Sequence, residues 1–237
     1  MAGIVSSLGA FLTDLIDYAG LFPPAALPLS TVLENYSTYL DSPDRWMLNR
    51  LVLPAAKLRE VSLQPKWRVT LLVEDEPGAL PPQVETLEAK LPRRLSLPTY
   101  CEVPIDQIDG AFAKVRTAAP DSAQLASFLQ EAAARRLPFK ATAGLHHTIR
   151  SATMHGFLNV FTAAAFAWRG VDRDTILEVL DDADAAAFQF SDEELRWRGR
   201  SLSTAEIQAT RRDFAHSFGS CSFEEPLADL RGLGLLP

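Results

Sequence analysis

Six short apolar runs between residues 50 and 145 constrain this chain more than any other feature. They are RLVLPA (50–55), WRVTLLV (67–73), VETLEAKLP (84–92), TYCEVPI (99–105), AFAKVRT (111–117) and PFKATAGL (138–145). Runs of this length, bounded by proline, glycine or polar residues, have the dimensions of strands rather than helices. Apolar runs with few interruptions belong to strands covered on both faces, as in parallel sheets. Parallel neighbours need a crossover, and the last two runs enclose a clear one. DSAQLASFLQEAAARR (121–136) has Asp121 as a cap, a stripe of Leu125, Phe128 and Leu129, and arginine at its end. Residues 111–145 therefore read as strand, helix, strand. The earlier connectors are short and several contain proline, so their helices are expected to be brief or missing.

The flanks read as helical. Ile4, Leu8, Phe11, Leu12 and Leu15 recur at helical spacing. GLFPPAALPLS breaks that helix, and Ser30 is placed to cap the next one, TVLENYSTYLD. Residues 1–48 thus form an N-terminal helical segment. Beyond residue 145, MHGFLNVFTAAAFAW (154–168) reads as a buried helix and DRDTILEVLDDAD (172–184) as another. AFQFSDEELRWRGRSLS (187–203) reads as a hairpin, and TAEIQATRRDFAHSF (204–218) as a last helix. The expectation is a single α/β domain over residues 1–237, an irregular (β/α)8-like barrel with N-terminal helices plugging one end. An open doubly wound sheet is the alternative. Neither GxGxxG nor GxxxxGK[ST] occurs, which weakens the dinucleotide-binding version of that sheet.

The formal net charge of −7 argues against nucleic acid and anionic membrane as partners. Cys101 and Cys221 match no metal spacing and make no disulfide framework, which points to a reducing cytoplasm. The N-terminus lacks a basic n-region and is interrupted by Asp14 and Asp17, unlike a signal peptide. The apolar run 154–168 is shorter than the roughly 20 residues a membrane span needs. A small molecule is the expected partner; self-association is left open.

Charge on the strands is the functional signal. The chain has few lysines, yet Lys90, Lys114 and Lys140 all fall on strand-like runs, with Glu88, Glu102 and Arg116. Unpaired buried charge is costly, so such groups must pair or sit at a wet mouth. In barrels, catalytic groups occupy the C-terminal mouth. Period-two alternation puts Lys114 and Arg116 on one face, and Glu88 and Lys90 on one face. A pairing of Glu102 with Lys114 is expected. AKVRTAAP, followed one β-α unit later by FKATAGLHH, resembles the two-lysine arrangement of class I aldolases of the deoxyribose-phosphate aldolase kind. That resemblance implies Lys114 as imine-forming residue and Lys140 as the neighbour that lowers its pKa. The pattern departs at Arg116, where a small residue is expected, and at His146-His147, where a phosphate-binding glycine turn would continue. DYAGLFPPA, FKATAGLHH, HGFLNV and FGSCSFEEP also resemble a bacterial protein family of unknown function, which supports one integral domain and implies nothing about the reaction.

Three histidines fall close together. His146 and His147 follow the sixth run, and His155 stands four residues before Asn159, which would place both on one helix face. These imidazoles with Glu102 could hold a divalent metal, or one could move protons near neutral pH. Ser220 lies in a small-residue turn able to face an anion, and Cys221 reads as a core filler rather than a nucleophile. DYAGLFPP reads as a helix stop. The sum is an expected lyase of aldolase type, acting on a small carbonyl or carboxylate compound without cofactor. Lys114, Lys140, Glu102 and His147 are the expected catalytic groups. Arg116, Glu88, His146, His155, Asn159 and Ser220 are expected to bind substrate. A metal-dependent lyase or hydrolase and a non-catalytic binding protein are the alternatives.

Overall fold

The computed structural model describes residues 4–118 and 121–237, so the Ala119-Pro120 end of AKVRTAAP lies outside it. Eight parallel strands close into a barrel. In chain order they are β1 (Ile16–Tyr18), β2 (Leu48–Pro54), β3 (Val69–Leu72), β4 (Val84–Ala89), β5 (Thr99–Cys101), β6 (Phe112–Arg116), β7 (Phe139–Thr142) and, after a three-stranded excursion, β11 (Ala215–Ser220). β11 lies between β7 and β1 and closes the ring. The excursion is an antiparallel sheet of β8 (Phe188–Phe190), β9 (Glu194–Trp197) and β10 (Arg200–Ser203). The helices are α1 (Ser6–Leu12), α2 (Leu29–Leu40), α3 (Ser122–Ala134), α4 (Phe157–Trp168), α5 (Arg173–Asp181), α6 (Thr204–Asp213) and α7 (Glu224–Gly232).

The six runs are the six strands β2 to β7. Their connectors contain one full helix, α3, whose Asp121 accepts from the Gln124 N–H in a reciprocal capping box. Short 3-10 turns serve elsewhere between β2 and β6. Outward-facing strand residues bury against the helices: Phe139 meets Phe128 of α3 and Phe161 of α4, and Phe218 meets Phe157 and Phe161. Every residue of α4 from Phe157 to Ala167 is buried. Among the described residues no helix is long and apolar enough to cross a membrane.

Several local expectations are corrected. The N-terminal segment contains a barrel strand, because Asp14 adopts a left-handed conformation (φ 51°) that ends the helical path before β1. The last predicted helix stops at Asp213. Phe214 leaves helical geometry (φ −141°), and β11 follows at once. No glycine or proline marks that junction, so the helical period runs past it unpunctuated. The hairpin is a three-stranded meander, with Arg198-Gly199 making the second turn at positive φ. Pro28, not Ser30, precedes α2. α1 reaches the N-terminal end of the barrel, and α2 packs against β2. Phe11 of α1 packs on Phe161 and Phe190, while Tyr36 of α2 donates to the carbonyls of Asn49 and Arg68.

Candidate active site

Lys114 and Lys140 are register partners on β6 and β7, so their side chains leave the sheet on the same side. That side is the barrel interior. Lys140 is 1% exposed, with Nζ 2.5 Å from both Asp17 Oδ2 of β1 and Glu88 Oε1 of β4. Lys114 lies nearer the C-terminal mouth, with Nζ 2.7 Å from Glu88 Oε2 and 2.9 Å from Glu102 Oε2. Glu88 therefore gives one oxygen to each lysine. Ser217 of β11 donates to Asp17 Oδ2 at 2.8 Å, and the Arg50 N–H donates to Asp17 Oδ1 at 3.1 Å. Arg116 completes the chain of charges, 3.7 Å from Glu102 and 56% exposed.

Three carboxylates face two ammoniums and a guanidinium, so the network is neutral as a whole. Burial opposes the charges of Lys140 and Glu88, and close pairing offsets that cost. Burial pushes the Glu88 carboxyl up, but Lys140 and Lys114 outweigh it and hold it at about 2. Burial also opposes the Lys140 ammonium, but Asp17 and Glu88 raise its pKa above that of an ordinary lysine. Lys140 is thus held as a cation out of reach of solvent. Its Nζ lies 5.6 Å from the centre of the Tyr100 ring, and the Tyr100 hydroxyl meets His216 Nδ1 at 2.7 Å. Burial pushes the Tyr100 hydroxyl up to about 12.

Above this network, the C-terminal ends of the strands surround a cavity of about 340 Å³. Glu88, Glu102, Lys114 and Arg116 line it, while Lys140 lies beneath. Val52 and Leu72 form an apolar flank, and His146 and Cys221 stand at the rim. Gly144 (φ 102°) shapes that rim: a Cβ there would fall 2.8 Å from the Ala118 backbone, so only glycine lets the turns after β6 and β7 nest.

The remaining predicted residues separate. His146 stays at the cavity, 3.5 Å from Glu225. His147 turns to α7 and meets Asp229 at 3.0 Å, away from the lysines. His155 precedes α4 instead of riding on it, and its Nδ1 meets Arg150 Nη1 at 2.8 Å. Asn159 is fully buried. It donates to the carbonyls of Val179 and Asp182 and accepts from the Arg150 N–H, so it ties loops together and does not face the cavity. Ser220 donates to the Ser222 carbonyl within its own turn. Among the described residues no group of three or more His, Cys, Asp or Glu is arranged to hold a metal ion. Asp17 of DYAGLFPP lies on a barrel strand and joins the buried charge network, which sequence reasoning missed along with Ser217 and Tyr100. All three lie on strands of three to six residues or in a misassigned helix. Asp17 alone carried a signal, an acidic residue between large apolar neighbours in Ile16-Asp17-Tyr18; Thr99-Tyr100-Cys101 and His216-Ser217-Phe218 offered none. Comparison with protein-family models, with curated proteins and with solved structures gave no match, so this geometry is what the chain offers for reading its chemistry.

Proposed function

We propose that the protein is a lyase of aldolase type that forms an imine between Lys114 and a small aldehyde, ketone or oxo acid. The observation that carries this reading is the contrast between two register-paired lysines: Lys140 is sealed between two carboxylates, whereas Lys114 opens on a cavity. Glu102, 2.9 Å from Lys114, is positioned to take the ammonium proton. The free amine adds to the carbonyl carbon. Glu102 returns the proton to the carbinolamine hydroxyl, which leaves as water. The resulting iminium takes the place of the ammonium beside Glu88. Glu102, again a carboxylate, takes the proton of the substrate's β-hydroxyl, the Cα–Cβ bond breaks, its electrons pass to the iminium to give an enamine, and the β-carbon leaves as a carbonyl. Arg116, largely exposed at the mouth, suits a substrate carboxylate held by paired N–H bonds. The resemblance to two-lysine aldolases supports the same assignment of Lys114. The role it gives Lys140 changes here: with Asp17 and Glu88 to balance it, Lys140 serves mainly to hold Glu88 ionised.

The test is borohydride trapping with a panel of small aldehydes and oxo acids, read by peptide mass spectrometry. The expected result is a reduced adduct on Lys114, absent in Lys114→Met, with Lys140 unmodified. A panel that leaves Lys114 unlabelled would overturn the imine reading.

A further inference from the structure

The N-terminal end of the barrel carries a second cleft, of about 600 Å³, that the proposed reaction does not use. Its sides come from α1 and α6, and its floor from the starts of the strands. Four arginines line it, Arg50, Arg68, Arg211 and Arg212, against two carboxylates, Asp14 and Glu85. The chain as a whole carries −7, so a cationic concavity runs against its composition. Arg50 and Arg68 both bond Glu85 through Nε, at 2.8 and 3.1 Å, and Arg68 also reaches Asp14 at 3.2 Å. Arg212 pairs with Asp213 outside the cleft. Arg211 has no such balance. It donates to the carbonyls of Thr13, Asp14, Ala215 and His216, and among the described residues no carboxylate pairs with it.

Two buried side-chain atoms of the lining residues also lack partners. Asn49 is 4% exposed and its buried Oδ1 accepts no hydrogen bond; the buried Nε of Arg211 donates none. Buried polar atoms are rarely left so. A ligand anion would supply the missing counter-charge. Phe112 and His216, edge to face at 5.4 Å, add a short apolar wall. Among the described residues the Arg50 guanidinium bonds through Nε alone, which leaves its two terminal nitrogens for a ligand.

We propose that this cleft is a second binding site, for a small molecule bearing a carboxylate or phosphate group. Titration calorimetry on the full chain tests it with three probes: inorganic phosphate, glycerol 3-phosphate and citrate. Each of the three carries the anionic group that the cleft's excess guanidinium charge calls for, and each is expected to bind. Binding is expected to survive in Lys114→Met and to weaken about tenfold in Arg50→Gln, the scale of one lost charge-assisted hydrogen bond. Arg212→Gln, on the surface of α6, provides a variant that leaves the fold alone, and it is expected to weaken binding in the same direction. Two results would overturn the proposal. One is no binding of any probe to the wild type at concentrations on the order of 10 mM. The other is binding that disappears in Lys114→Met while Arg50→Gln and Arg212→Gln leave it intact.

Discussion

Glu88 gives each of its carboxylate oxygens to a different lysine, so its removal strands two cations at once. Lys140 is sealed and keeps only Asp17; Lys114 keeps Glu102 at the cavity. Breaking a buried pair costs more than the pair contributes, because the abandoned charge stays desolvated. Glu88→Gln is therefore expected to destabilise the protein by about 3–5 kcal/mol in urea unfolding at neutral pH. Arg116→Gln, at a largely exposed position with a long contact, is expected to change stability by less than about 0.5 kcal/mol. A Glu88→Gln variant as stable as wild type would mean that the buried lysines are solvated after all. Sequence alone singled out Lys114, Lys140, Glu88 and Glu102, because a charge inside an apolar strand is conspicuous. It also assigned roles by residue type. Lysine, in a chain with few of them, drew both Lys114 and Lys140 into the expected catalytic set, and only burial separates the one that lines the cavity from the one sealed beneath it.

Elements were legible where two signals agreed. α3 has a cap, an apolar stripe and flanking strands, and it forms within a residue or two of its expected ends. β1 and β11 had none of these. Each adjoins a helix with no glycine or proline between, and each carries a polar residue that faces inward. β11 even breaks alternation: a register irregularity between Ala215 and Phe218 lets His216 reach Tyr100 and Ser217 reach Asp17 from consecutive positions. α4 shows the opposite error, since its apolar run was recognised while Asn159 was taken for a substrate contact. Asn159 bonds three backbone groups that hold the 149–156 loop and the end of α5 to α4. Asn159→Ala is expected to cost about 2–4 kcal/mol in unfolding. Its imine trapping at Lys114, measured below the unfolding transition, should match the wild type; a selective loss of trapping would restore Asn159 to the site.

For the whole molecule, acid stability follows from two buried groups with separate windows. Burial, helped by Arg211, lowers the His216 pKa to about 4, from an ordinary value of 6.5. The unfolded chain thus binds a proton there that the folded chain refuses. Stability from this group is complete above pH 6.5 and drains as pH falls toward 4, by roughly 3 kcal/mol. Glu88, held near 2 against an ordinary 4.5, keeps its contribution above pH 4.5 and loses it as pH falls toward 2. Urea midpoints from pH 7 to 3 should therefore fall in two stages, and His216→Gln should flatten the first. An unchanged slope between pH 6.5 and 4 in that variant would assign the first stage to another group. By itself, the sequence determined the class of fold and six of its eight barrel strands, because hydrophobic period and crossover length are local properties that a parallel sheet requires. Only the tertiary structure decided which polar residues share the interior. Asp17 and Lys140 are 123 residues apart along the chain and meet because β1 and β7 flank the same closing strand. Ring closure is a long-range event with no local pattern to announce it, so the residues at the seam were the ones that could not be read in advance.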